Sequence, residues 1–297
     1  MKTTWKGTYT ALVTPFQADG AIDEPALRGL VDRQIAGGVD GIVPCGTTGE
    51  SATLHADEKL RVVEIVTEQT DGRVAVLAGA GGNSTHDVIA LAQRMAAARV
   101  DGILSVVPYY NKPTQGGLYS HFAAIADAVQ APVVLYNVPG RTAVNLAADT
   151  VLRLAEHGNI VGVKEASGDF PQVMQIIQGA PQGFHVLSGE DSLTLPIIAL
   201  GGHGVVSVVA NELPDLMSDM VRAALAGDFS SARELHYKLL RLMDANFIET
   251  NPIPAKAALA MMGLIGEHYR LPMVPITDAS RETLRADLIA LELLEPQ

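Results

Sequence analysis

The stretch Ile160–Asp169, "IVGVKEASGD", decides how this 297-residue chain folds. Ile160, Val161 and Val163 form a short apolar run, and Gly168 with Asp169 reads as the turn that ends it. Apolar side chains on consecutive positions mark a strand covered on both faces, as in a parallel sheet. At the end of that run stands Lys164, one of only seven lysines in the chain. Two readings are open for it. It is a solvated strand end or a carboxylate's partner, as most lysines near strand ends are. Or it is an amine held in a dry site, where its pKa falls and it can attack a carbonyl.

Seven similar runs flank this one: "TYTALVTPF", "GIVPCG", "VAVLAGA", "GILSVVPYY", "PVVLYNVP", "FHVLSGE" and "GVVSVVAN". Between them lie helix-length amphipathic segments such as "DEPALRGLVDRQIAGG", "STHDVIALAQRMAAARV" and "QGGLYSHFAAIADAVQ". Asp23, Ser84 and Asp149 sit where helix starts need side-chain acceptors. Eight βα units in series predict parallel strands, and their regularity favours a closed (β/α)8 TIM barrel over an open sheet. The strand signals stop at about residue 226. Three further helices are expected in 227–297, as an extension packed on the 1–226 barrel, because no Gly/Ser linker or charge block separates the two.

Composition narrows the function. Hydrophobic residues make up 48% and charged residues 18%, enough for a large core. A formal net charge of −12 argues against nucleic acid or an anionic membrane as partner. No apolar run approaches a membrane span, and the start lacks a signal-peptide core. With a single cysteine, Cys45, an internal disulfide is impossible. A soluble, cytoplasmic protein is expected.

A barrel places chemistry at the C-terminal ends of its strands. Those positions hold "CGTTGES", "PYYNKP", "YNVPGRT", "KEASGD", "SGED" and "VVANE". Each has a plain structural reading: "GTTGE" as a turn into a capped helix, Tyr109 and Tyr110 as interface filler, Arg141 as a surface ion-pair partner. Their convergence with Lys164 on one barrel mouth favours a site.

The set "GTTGES", "PYYN", "YNVPGRT", "VKEASGD", "LSGED", "GGHGVVSV" and "NPIPAK" resembles the dihydrodipicolinate synthase family, from "ALVTPF" to "LPMVPITD". The motif GxTGE and the strand-six lysine are shared with N-acetylneuraminate lyases and 2-keto-3-deoxy sugar acid aldolases, so they imply pyruvate Schiff-base chemistry but not the second substrate. The second threonine of "GTTGE" and the arginine of "YNVPGRT" are more specific. The resemblance implies condensation of pyruvate with L-aspartate 4-semialdehyde, the first committed step of diaminopimelate and lysine synthesis. It implies no cofactor and no metal, the pyruvate imine on Lys164 serving as electron sink. Tyr136 resembles the general acid–base, and Thr47 and Tyr110 the other members of a hydroxyl relay. A phenol with an ordinary pKa near 10 needs such partners to act near neutrality. Thr48, with the backbone N–H groups of "GTTG" at a helix head, suits the pyruvate carboxylate. Arg141 suits the semialdehyde carboxylate, and Gly189 and Val206 resemble positions whose backbone lines the pocket.

The resemblance also implies a homotetramer built as a dimer of dimers, in which the tyrosine matching Tyr110 enters the neighbouring subunit's site. A lysine-binding regulatory pocket in the family matches Ser51, Ala52, Asn83 and Tyr109 here. It departs at Ala56 and Lys59, where strongly inhibited members carry histidines, and at Asp87, where they carry glutamate. Lys59 would repel a cationic side chain about 6 Å away by roughly 3 kcal/mol before screening. Weak or absent inhibition by lysine is therefore expected.

Other constellations carry less. The eight histidines form no HxxxH pair or ligand set, which argues against a metal-dependent aldolase. "AGAGGNST" lacks the lysine of a phosphate loop, and its glycines read as room for close packing. Cys45 has no evident histidine partner, Lys112 reads as surface, and Lys256 of "NPIPAK" as structural. Two alternatives remain at this stage: another pyruvate-dependent aldolase of the same chemistry, or a non-catalytic barrel that binds keto acids. The positive charge of Arg141 speaks against a sugar pocket. The hydroxyl relay speaks against binding alone, which needs no proton transfer.

Overall fold

Each apolar run becomes a strand because its apolar, often β-branched residues are bounded by turn-forming or charged ones. The strands are β1 (Gly7–Ala11), β2 (Gly41–Val43), β3 (Ala75–Gly79), β4 (Gly102–Val106), β5 (Val133–Asn137), β6 (Ile160–Glu165), β7 (His185–Ser188) and β8 (Gly204–Ser207). In a computed structural model, which describes residues 5–296, they pair in parallel and in chain order. β8 returns to β1 through Thr8↔Val205 and Tyr9↔Val206 and closes the barrel that the sequence predicts.

The connecting helices are α1 (Glu24–Ala36), α2 (Ala56–Thr70), α3 (Thr85–Ala97), α4 (Gln115–Ala128), α5 (Pro139–Thr142), α6 (Ala148–Ala155), α7 (Phe170–Gly179), α8 (Thr194–Ala199) and α9 (Pro214–Leu225). Asp23 caps α1 by accepting from the Ala26 N–H at 3.1 Å, and Ser84 caps α3 through the Asp87 N–H at 3.4 Å. Asp149 does not cap. Helix α6 starts two residues earlier, at Ala148 behind Ala147, and Asp149 lies within its first turn, where its charge still faces the helix's positive end.

Alternation along the strands sorts side chains into two cores. Tyr9, Val43, Leu77, Leu104, Val134 and Leu187 pack together inside the barrel. A larger apolar shell, including Ile42, Val76, Ile103 and Val163, packs outward against the helices. Beyond the barrel, α10 (Phe229–Ala245), α11 (Ile253–Met261) and α12 (Asp278–Ala290) share one apolar cluster with β8 and α9. Val205, Met217, Val221, Leu239, Leu259's neighbour Ala258 and Leu284 contribute to it, and all are fully buried. Burying each Leu or Met there stabilises the chain by about 1.5–3 kcal/mol.

One polar strut ties α11 to the barrel mouth. Lys256 Nζ donates to Glu50 Oε1 at 2.5 Å, with the two side chains 0% and 1% exposed. The rings of Phe16 and Tyr269 flank the ammonium at 4.3 and 5.1 Å. Lys256 is thus structural, as its sequence context suggests. No helix among the described residues is long and apolar enough to cross a membrane.

Candidate active site

Strand register brings the two central groups together. Tyr136 of β5 pairs with Lys164 of β6, so both side chains leave the same face of the sheet and point into the barrel. Lys164 Nζ lies 4.2 Å from the centre of the Tyr136 ring, and the two residues are 6% exposed. The next residue along, Glu165, faces outward instead and is satisfied there. Its carboxylate accepts from the Asn137 and Gln172 amides and from the Ser167 N–H. Lys164 has no ion-pair partner among the described residues, so a plain carboxylate bridge does not explain its place.

A cavity of about 280 Å³ opens beside this pair. Tyr136, Thr47, Arg141 and Asn251 line it, with Leu104 and Val106 as apolar wall. Arg141 sits in the one-turn helix α5 and has no ion pair among the described residues, which leaves its guanidinium free for an anion. Gly189, after β7, meets Lys164 from the other side. A Cβ there would stand 3.0 Å from Lys164 Cε and 2.6 Å from the Ala166 Cβ, so glycine is required for this approach. Val206 belongs to the interior core and, like Lys164, Thr48 and Gly189, does not line the cavity.

The "GTTGE" loop differs from expectation in one respect. It does not head an α-helix. Glu50 adopts a left-handed φ of 51°, and a single 3-10 turn (Ser51–Thr53) follows before α2 begins at Ala56. Whatever the loop offers an anion comes from its own hydroxyls and N–H groups rather than from a helix end. Thr48 is buried, and its Oγ1 accepts from Asn251 Nδ2 at 3.0 Å. Asn251 Oδ1 is buried without a partner at the cavity wall. Cys45 is inert: burial pushes its thiol up to about 12, and its Sγ faces the Lys59 carbonyl at 3.5 Å. In "AGAGG", a Cβ on Gly79 would lie 2.2 Å from the Cys45 carbonyl oxygen, which is the close packing that the glycines suggest.

Tyr110 is not gathered into this site. It is 90% exposed on the loop after β4, while its neighbour Tyr109, 41% exposed, does line the cavity. The expected regulatory residues also divide. Ser51, Ala52 and Lys59 line the same cavity as Tyr136, whereas Ala56, Asn83 and Asp87 lie outside its lining and are exposed. Lys59 is half-buried, and burial lowers its ammonium below the usual range. Lys112 is exposed, as its sequence suggests.

Sequence reasoning singled out "SGED" without assigning its acids. Asp191 is fully buried and clamps the turn after β8 by accepting from the Val208 and Val209 N–H groups, both at 2.9 Å. Glu190 is half-buried at the mouth, and burial together with Asp191 pushes its carboxyl up to about 7. Farther along, Glu212 is wholly buried beside the Asn246 amide, and burial holds its carboxyl well above the usual range. Among the described residues, no group of three or more His, Cys, Asp or Glu side chains is placed to hold a metal ion.

Comparison with known proteins identifies the family and the fold. A 4-hydroxy-tetrahydrodipicolinate synthase from Koribacter versatilis is 55% identical over 280 residues, which is 94% of this chain and 93% of that protein. A dihydrodipicolinate synthase structure from Aquifex aeolicus superposes with a TM-score of 0.96 at 44% identity, covering 97% of this chain and 99% of that one. A structure described as the first monomeric dihydrodipicolinate synthase variant superposes equally well, with a TM-score of 0.96 at 42% identity and 98% of each chain covered. The model of the dihydrodipicolinate synthetase family matches residues 4–291, and this chain belongs to that family.

Proposed function

We propose that this protein is a lyase that condenses pyruvate with L-aspartate 4-semialdehyde to give 4-hydroxy-tetrahydrodipicolinate, in diaminopimelate and lysine biosynthesis. The observation that carries this reading is Lys164, buried and without a carboxylate partner among the described residues, packed against the ring of Tyr136, which in turn lines a cavity together with Arg141. The neutral amine attacks the pyruvate ketone, and loss of water leaves an iminium that withdraws electrons from the neighbouring methyl group. A proton then leaves that methyl, and the resulting enamine carbon attacks the aldehyde of the second substrate. Tyr136, whose ring lies against Nζ, moves these protons, with Thr47 also at the cavity wall. The buried Thr48 hydroxyl and the loop N–H groups hold the pyruvate carboxylate. Arg141 holds the carboxylate of the semialdehyde bidentately.

No external cofactor or metal enters this scheme, because the imine itself is the electron sink. The resident chemistry favours an acidic aldehyde over a sugar: a free guanidinium in the cavity selects a carboxylate. The test is direct. The purified chain is supplied with pyruvate and either L-aspartate semialdehyde or a neutral sugar aldehyde, and products are separated by mass. Formation of the cyclic dicarboxylate from the first pair, and no aldol product from the second, is expected. Comparable turnover of the sugar aldehyde would assign the chain to the sugar acid aldolases instead.

A further inference from the structure

The segment that opens α11 reaches back to the "GTTGE" loop. Lys256 holds Glu50 through the buried strut described above. Earlier in the segment, Asn251 Nδ2 donates to Thr48 Oγ1 at 3.0 Å, a buried hydrogen bond between positions 203 apart in the chain. The two residues are 4% and 2% exposed. Their backbones are pinned. The Tyr269 hydroxyl donates to the Ile253 carbonyl at 3.0 Å, and the Ile253 N–H donates to the Thr250 carbonyl at 2.9 Å. On the loop, the Glu50 N–H donates to the Thr47 carbonyl at 3.1 Å, and the Thr14 hydroxyl to the Gly49 carbonyl at 2.7 Å.

The chemistry of a hydroxyl gives this contact its direction. A threonine hydroxyl has one proton to donate and two lone pairs to accept with. Here the amide occupies a lone pair, and the hydroxyl donates to no group among the described residues. Its proton is unspent. Asn251 lines the cavity together with Tyr136 and Arg141, whereas Thr48 stands outside the lining, next in the chain to Thr47, which is part of it.

We propose that Asn251 is a positioning residue for the keto-acid substrate: its amide fixes the Thr48 oxygen in place and leaves the single proton of that hydroxyl for the pyruvate carboxylate. This rests on the role given to Thr48 in the condensation above. A hydrogen bond to a carboxylate is stronger than one between neutral groups, so a hydroxyl whose proton is kept for the substrate holds it more tightly than one free to turn toward a neighbouring acceptor. The amide is also costly where it stands. Asn251 Oδ1 is buried without a partner, a penalty that an apolar side chain would avoid. That cost points to a use for the other end of the amide.

The experiment compares the wild-type chain with Asn251→Ala, Asn251→Asp, Thr48→Val and the double variant Asn251→Ala/Thr48→Val. For each, the pyruvate concentration giving half-maximal borohydride trapping at Lys164 is measured, then kcat and the KM for L-aspartate semialdehyde at saturating pyruvate. Half-saturating pyruvate should rise about 10-fold in Asn251→Ala, and at least as much in Asn251→Asp, which keeps the shape but exchanges the donor for an acceptor. The kcat and the semialdehyde KM should stay within about twofold, a split that general loosening of the loop would not produce. Full trapping at high pyruvate verifies that each variant is folded, and the isosteric Asn251→Asp reports even where the smaller alanine disturbs the loop. In the Thr48→Val background, Asn251→Ala should shift half-saturation by less than about twofold, because the group it acts through is gone.

Wild-type pyruvate binding in Asn251→Asp overturns the proposal. So does an undiminished effect of Asn251→Ala in the Thr48→Val background, which would put the amide on the substrate itself. Equal rises for pyruvate and the semialdehyde overturn it as well. Unchanged half-saturation in Thr48→Val removes Thr48 from the carboxylate, and the role of Asn251 with it, while the condensation stands. A wild-type chain that traps no pyruvate overturns the condensation reading itself.

Discussion

Arg141 and Lys59 are both cations facing the cavity, and their settings assign them different consequences. Arg141 is exposed on a one-turn helix and has no ion pair among the described residues, so its loss should leave the fold intact and remove one charged, two-point contact. Arg141→Ala is expected to raise the KM for L-aspartate semialdehyde by ~2–4 kcal/mol in binding terms, with the KM for pyruvate nearly unchanged. Steady-state kinetics with each substrate varied in turn checks this, and equal rises in both constants would remove the guanidinium from its assigned role. Lys59 is half-buried with no ion-pair partner among the described residues, and burial already disfavours its charge. A second ammonium bound next to it would be repelled by roughly 3 kcal/mol at 6 Å. Titrating the enzyme with L-lysine should therefore show little inhibition in the submillimolar range. Half-inhibition below a millimolar would mean that Ser51, Ala52 and Tyr109 hold the ligand despite Lys59.

The strut between α11 and the "GTTGE" loop is a consequence of elements meeting across two hundred residues. Glu50 and Lys256 are both fully buried, and among the described residues each is the other's only opposite charge at hydrogen-bond distance. Lys256→Met strands the Glu50 carboxylate and should cost about 3–5 kcal/mol, read from urea unfolding. Adding Glu50→Gln should recover much of that loss, because the uncompensated charge is gone. A single variant that loses less than about 1 kcal/mol would show that the pair holds nothing in place. The strands were legible from local sequence because a parallel strand buried on both faces needs an unbroken apolar run, and β6 even announces its exceptional Lys164. The strut was not legible, since neither "GTTGE" nor "NPIPAK" states which charge the other answers. Glu190 was hidden for a similar reason: "SGED" reads as a turn until β6 and α10 supply the charges around it. The 3-10 turn after Glu50 was missed because the loop's left-handed residue is not a glycine. Asp149 was misplaced by a shift of a turn's start, the least certain feature of any helix read from sequence.

As a whole, the molecule displays Tyr110 almost entirely to solvent, at 90% exposure, beside Tyr109 at 41%. Two aromatics on one loop at the barrel mouth suit a surface that another copy covers. We propose that Tyr110 serves as a relay member for a neighbouring subunit, since it stands outside its own chain's cavity. We expect a homotetramer with dihedral symmetry, formed from two such dimers. Sedimentation at working concentration checks it, and a fully active monomer would contradict the shared site. The barrel's closure serves one end: it brings a lysine from β6 and a tyrosine from β5 into the same interior beside one cavity. The most direct measurement is borohydride reduction of the intact chain with pyruvate, followed by peptide mass mapping. The account predicts one reduced pyruvate per chain, on Lys164, and none in Lys164→Ala, whose turnover falls by several orders of magnitude. An adduct on another lysine, or no adduct with turnover retained within about tenfold in Lys164→Ala, would contradict it.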